Sequence, residues 1–106
     1  MRPVIAIQLI LATMLTVNTA HASDAVNGKK LFMSVGCYAC HGTVGQGAAP
    51  TGPRLAPNPP PLEVFLKELR TPRNVMPPYA ASLLSDDAAA DIRAYLATIK
   101  LPSGSP

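Results

Sequence analysis

Cys37-Tyr38-Ala39-Cys40-His41 constrains this chain more than any other stretch. It matches C-x-x-C-H, the spacing at which a c-type haem is attached. Two thiols three positions apart reach the two vinyl-derived carbons on one edge of a porphyrin. The histidine directly after the second cysteine is then held beneath the iron, where it can serve as an axial ligand.

Other chemistries share part of the pattern. A thioredoxin-like redox pair also uses C-x-x-C but expects a βαβ setting, and no alternating β-branched run is present to build one. Structural zinc takes four ligands, and two cysteines with one histidine leave it one short. A plain disulfide would use both cysteines and give the adjacent histidine no role.

The chain has 106 residues, one domain at most. Its first 22 read as a secretory signal: Arg2 supplies the positive start, Val4 to Val17 is largely apolar, and Ala20-His21-Ala22 is an A-x-A cleavage site. An uncleaved anchor is the alternative, but the apolar stretch is shorter than the ~20 residues that span a bilayer. Cleavage after Ala22 would leave Ser23 to Pro106, a small chain without tryptophan. Chains of that size need a staple or a cofactor to complete a core. With both cysteines in the motif no structural disulfide remains, so a haem would supply the centre. Export agrees, because covalent haem attachment in bacteria takes place outside the cytoplasm, and a periplasmic location is expected. Formal charge is +3, or one less without Arg2, and no Lys/Arg cluster marks a nucleic-acid or membrane partner.

Three helices and no strands are expected. Ser23 or Asp24 can cap a first helix running to about Val35, with Gly28, Phe32 and Val35 on one face and Gly36 ending it. From Gly42 to Pro61 there is no period, and six of the twelve residues from Pro50 to Pro61 are proline. That composition reads as a stiff ordered loop. Leu62 to Arg70 is a short amphipathic helix with Leu62, Phe65, Leu66 and Leu69 as its stripe. After a second irregular stretch from Thr71 to Ser82, Ser85 caps a final helix whose stripe is Ala89, Ile92, Tyr95, Leu96 and Ile99. Pro102 stops it, and residues 102–106 form a frayed tail.

An iron bound at His41 has a second axial position. His21 leaves with the signal, so the candidates are Met33 and Met76. Met33 precedes Cys37 by four residues, on the proximal side, and suits packing or partial exposure. Met76 lies well beyond the motif on an irregular stretch, and Pro77 and Pro78 fix the backbone after it. A role as core filler is the alternative, since methionine suits irregular gaps.

These features together resemble the class I cytochrome c family, its single-haem bacterial members in particular. The resemblance covers nearly all of Asp24 to Ile99. It rests on Gly28 and Phe32, Cys37-x-x-Cys40-His41-Gly42, Gly52-Pro53-x-Leu55, Met76-Pro77 and Tyr95-Leu96. It implies an all-α, small cytochrome c-like fold: about three helices and irregular Pro-rich loops wrapped around one covalently bound haem c and its iron. It places Gly28, Phe32 and Tyr95 at a crossing of the first and last helices. It has the Pro53 carbonyl accept a hydrogen bond from the His41 ring. Arg54 becomes a candidate propionate partner, with a solvated arginine as the alternative, and Tyr79 a candidate flank of the distal side. The segment from His41 to Met76 is shorter than in longer family members, which would expose more of the haem edge.

Histidine–methionine ligation would saturate the iron and favour its ferrous state, giving a single-electron carrier rather than an enzyme. Tyr38, Ala39 and the Met76 loop would rim a small, transient docking surface for a redox donor and acceptor such as a dehydrogenase, an oxidase or another cytochrome. Two alternatives remain at this level. One is a haem-carrying subunit held in a periplasmic dehydrogenase complex. The other is a five-coordinate haem that binds gas or reduces peroxide, with Met76 unligated.

Overall fold

A computed structural model describes residues 21–102 together with Thr13. The expected signal segment therefore lies outside the described residues apart from Thr13, His21 and Ala22, and so does the tail from residue 103 on.

Four helices carry the described chain: α1 (Ala25–Ser34), α2 (Tyr38–His41), α3 (Leu62–Arg70) and α4 (Asp86–Thr98). Among the described residues there is no strand, only a single antiparallel bridge between Ala48 and Gly52. The fold is thus all-α, as the sequence implies. The addition is α2, a single turn formed by the C-x-x-C-H residues themselves, too short to show a period in sequence.

Each main helix starts where its local chemistry allows. At α1 the Asp24 carboxylate accepts from the N–H groups of Val26 and Asn27 at 3.0 and 3.1 Å, partnering two otherwise orphaned donors. At α4 the Ser85 hydroxyl accepts from the Ala88 N–H at 3.1 Å, with Asp86 and Asp87 in the first turn favoured by the helix dipole. α3 follows Pro61 without a side-chain cap; Glu63 near its start and Lys67 and Arg70 near its end suit the same dipole.

α1 packs across α4 at a close approach. A Cβ built on Gly28 would lie 1.9 Å from the Asp91 carbonyl oxygen and 2.9 Å from the Ile92 nitrogen, so only glycine admits this crossing. Phe32 and Tyr95 meet beside it, with ring centroids 5.7 Å apart and planes tilted by 59°. Phe32, Leu84, Ile92 and Leu96 are fully buried there. A buried carboxylate completes the junction. Asp91 accepts from the Asp24 N–H at 2.7 Å and the Asn27 amide at 2.9 Å, and His21 lies 2.9 Å from it.

The core draws on Phe65 and Leu69 of α3 and on two residues outside the helices, Ala56 and Leu84. The expected α3 stripe needs one correction. Leu62 is exposed, because the helix begins there, one turn beyond the part covered by its neighbours. The Pro-rich stretch is an ordered loop: the Gly45 carbonyl accepts from the N–H groups of Leu55 and Ala56, both at 2.9 Å. Arg93 of α4 donates to the Pro60 carbonyl at 2.6 Å. No helix among the described residues is long and apolar enough to cross a membrane.

Candidate haem site

The C-x-x-C-H residues sit just after α1. Val35 caps that helix, and its backbone leads directly into Gly36 and Cys37. The crossing of α1 and α4 therefore fixes where the motif begins. α2 then turns Cys37, Cys40 and His41 toward one cavity of about 410 Å³, within the range of ligand and cofactor sites. Cys37 is half-buried, Cys40 is exposed, and the two are not joined to each other. Burial pushes the Cys37 thiol up to about 11, despite a hydrogen bond that favours its ionised form.

His41 is buried, and the loop after it holds it from two sides. Its Nδ1 is 2.7 Å from the Pro53 carbonyl oxygen, so Nδ1 carries the donating proton and Nε2 is left as the ring's acceptor. That arrangement is the usual support of a metal-ligating imidazole, where the second nitrogen's partner fixes tautomer and ring orientation. Its own carbonyl accepts from the Gly47 N–H at 2.7 Å. Gly52 makes the approach of the Pro53 segment possible. A Cβ there would lie 2.4 Å from the Cys40 carbonyl oxygen and 3.1 Å from His41 Nδ1. The Thr51 hydroxyl donates to that same Cys40 carbonyl at 3.1 Å.

Met76 lines the same cavity as His41, from the irregular stretch after α3, and is partly buried. Met33 is not among the lining residues and is partly exposed on α1. Tyr79 lines the cavity too, and its hydroxyl donates to the Val35 carbonyl at 2.8 Å, tying the Met76 stretch to the end of α1. Burial first, and then the neighbouring cysteines, raise its phenol above the ordinary range. Arg54 borders the cavity and donates through Nε to the Ala56 carbonyl at 2.9 Å, so part of its guanidinium braces its own loop.

The donor set fits a covalently held haem. Two thiols and an imidazole with its Nε2 available converge on one apolar cavity, whose further lining includes Phe32, Phe65, Leu69 and Met76. All expected site residues, Cys37, Cys40, His41, Pro53, Arg54, Met76 and Tyr79, border that one space.

Sequence reasoning missed several neighbours, three of them on or just after α3. Glu68, Arg73 and Val64 also line the cavity. The helical period places Glu68 and Val64 outside the α3 stripe, since it distinguishes one buried face from the rest. One face of α3 packs on the core and another borders the cavity. Glu68 and Arg73 form an ion pair at 3.0 Å, five residues apart across the end of α3, a spacing with no signature in sequence.

A family model described as cytochrome c oxidase, cbb3-type, subunit III matches residues 23–96. Among curated proteins no significant match was found.

Proposed function

We propose that this chain, which belongs to the family described as cytochrome c oxidase, cbb3-type, subunit III, carries one electron at a time through an iron held between His41 and Met76. Membership itself makes the chain a cytochrome c domain, a haem-carrying electron-transfer protein with haem c attached covalently. The ligand pair and the partners are the proposed part. One observation carries the ligand pair: Cys37, Cys40, His41 and Met76 all line a single cavity, with His41 Nδ1 already engaged by Pro53.

The bound haem supplies an iron that cycles between two oxidation states. The chain's residues make that cycle useful. Cys37 and Cys40 attach the group. The Pro53 carbonyl holds the imidazole in one tautomer and raises its basicity. Met76 would supply a thioether ligand, a donor that favours the ferrous state. Phe32, Phe65 and Leu69 exclude water, which keeps the surroundings nearly unchanged between the two states. Tyr38, Ala39 and Cys40 are exposed on the attachment edge, and Val75, beside Met76, is 92% exposed. These residues supply the rim for small, transient redox contacts.

The test is an optical spectrum of the haem-loaded protein, oxidised and reduced, with and without carbon monoxide. A low-spin spectrum with a near-infrared sulfur-to-iron band, unaltered by carbon monoxide, supports the ligand pair, and Met76→Ala should abolish the band. A high-spin protein that takes up carbon monoxide would replace this reading with the gas-binding or peroxide-reducing one.

The family's description favours a second reading, a haem subunit within an oxidoreductase complex. A second polypeptide that co-purifies in fixed ratio would establish it over a free shuttle. The Ala20-His21-Ala22 site and the chemistry of haem attachment support export to the periplasm with cleavage after Ala22. The mass of the purified protein tests this: a mature chain begins at Ser23.

A further inference from the structure

We propose that α3 is a two-ended clamp on the strap that carries Met76, with Glu68 and Arg70 as positioning residues that decide how often the thioether leaves the iron. This rests on the His41/Met76 reading above.

Three consecutive residues of α3 hold both ends of the strap. At the front, Glu68 Oε1 accepts from the Arg73 N–H at 3.3 Å, and Oε2 accepts from Arg73 Nε at 3.0 Å. At the back, the Leu69 carbonyl accepts from the Tyr79 N–H at 2.7 Å, and Arg70 Nη1 donates to the Tyr79 carbonyl at 3.0 Å. Arg70 is itself braced, since its Nη2 donates to Asp86 at the start of α4 at 2.6 Å.

Between these anchors the strap is bare. Among the described residues, no hydrogen bond joins 74–78 to another part of the chain. Pro77 and Pro78 have no N–H to offer, and Val75 points its side chain almost wholly into solvent. Met76 lies at the centre of the span from Arg73 to Tyr79, so its position is set by the two ends and by its contact with the core. A segment with few buried contacts opens locally at far lower free energy than the whole domain. The anchors govern that opening. The front tie matters little to global stability, because Arg73 is 82% exposed and such ion pairs contribute little to folding.

An external ligand for ferric iron can bind only while the thioether is away, so its apparent affinity scales with the open fraction. The experiment uses the intact haem-loaded protein, with imidazole as the probe, and records thermal unfolding and the near-infrared sulfur band on the same samples. In Glu68→Gln the expected result is a retained band, a nearly unchanged melting temperature, and imidazole affinity raised about three- to tenfold, the effect of one or two net hydrogen bonds. Arg73→Gln cuts the same tie from its exposed partner and should raise affinity in the same direction. Lys67→Gln, on the same helix without a bond to the strap, should leave it unchanged.

Unaltered imidazole affinity in both Glu68→Gln and Arg73→Gln, with the band present, overturns the clamp and leaves Met76 ligation standing. An affinity change matched by Lys67→Gln, or explained by a parallel loss of global stability, overturns it as well. A wild type without the sulfur band removes the ligation reading, and the clamp with it.

Discussion

Gly28→Ala is the sharpest test of the fold, because two rules predict opposite signs. In an isolated helix the change should stabilise, since alanine is better than glycine by about 1 kcal/mol in a helix interior. In this protein the new methyl would lie 1.9 Å from the Asp91 carbonyl oxygen, 2.4 Å from its carbon and 2.9 Å from the Ile92 nitrogen. All three are backbone atoms of α4, so no side chain can rotate out of the way. Relief requires the helix axes to part by about 1 Å or more, and a gap of that size forfeits a quarter to a half of each contact it opens. The contacts at risk are those of Phe32, Tyr95, Ile92 and Leu96, all buried at this junction. Overpacking a tight interior costs about 1–3 kcal/mol and sometimes more, and the parted junction adds to that. After the helix-propensity gain of about 1 kcal/mol is subtracted, a net loss of up to about 2 kcal/mol is expected from overpacking alone.

The assay is denaturant unfolding of haem-loaded wild type and variant, followed by far-ultraviolet circular dichroism, with the slope compared so that a changed midpoint can be read as stability. Gly28→Ser should lose at least as much. A Gly28→Ala protein as stable as wild type, or more so, would refute the reasoning, because it would mean that α1 does not cross α4 at this backbone separation.

Two further changes probe the site and the junction. Gly52→Ala would press a methyl against the Cys40 carbonyl and His41 Nδ1; it should destabilise by about 1–3 kcal/mol and shift the His41 ring signals in the paramagnetic NMR spectrum, whereas unshifted ring signals would show that the Pro53 segment yields without disturbing the imidazole. Asp91→Asn should cost about 1–3 kcal/mol by mismatching donors that converge on a buried acceptor. Burial alone would raise the Asp91 carboxyl, but hydrogen bonds from the Asn27 amide and the Asp24 N–H, both present in a chain that begins at Ser23, lower it. Its stabilisation is therefore fully present above the ordinary carboxylate range and lost as pH falls through the lower folded value, so the variant's stability should decline less steeply in acid than the wild type's.

What could be read from sequence was local. The C-x-x-C-H spacing is a contiguous geometric requirement, and Asp24, Ser85 and Pro61 mark helix starts within a turn of the groups they serve. The bounds of α3 follow from the Pro-rich run before it and the irregular stretch after it. What could not be read depends on which element lies opposite. Asp91 is polar and sits beside the Ile92 stripe, yet it is buried because the start of α1 brings the Asp24 N–H and the Asn27 amide onto it. Glu68 belongs to the charged side of α3 by period, but that side borders the cavity. Ala56 and Leu84 lie in stretches without any period and are nonetheless almost fully buried, since core membership there is decided by loop path.

The two halves of the molecule are held together in different ways, and the difference suits an electron carrier. The crossing of α1 and α4 is complete from the chain's own atoms: a glycine contact, an aromatic pair, a satisfied buried carboxylate and fully buried aliphatic residues. It sets the position of Cys37, and three of its buried residues, Phe32, Ile92 and Leu96, also form a wall of the cavity. Met76 sits on a strap whose hydrogen bonds lie at its ends and which otherwise rests against the core. On the proposed ligand pair, an iron would be held by His41 from the side of the crossing and by Met76 from the strap. The proposed clamp would leave the Met76 contact to a few hydrogen bonds at the end of α3. Of the strap's anchors only the Glu68–Arg73 tie makes no bond to α4 or the end of α1, so under the proposal a substitution at Glu68 would change the Met76 contact while leaving the crossing in place.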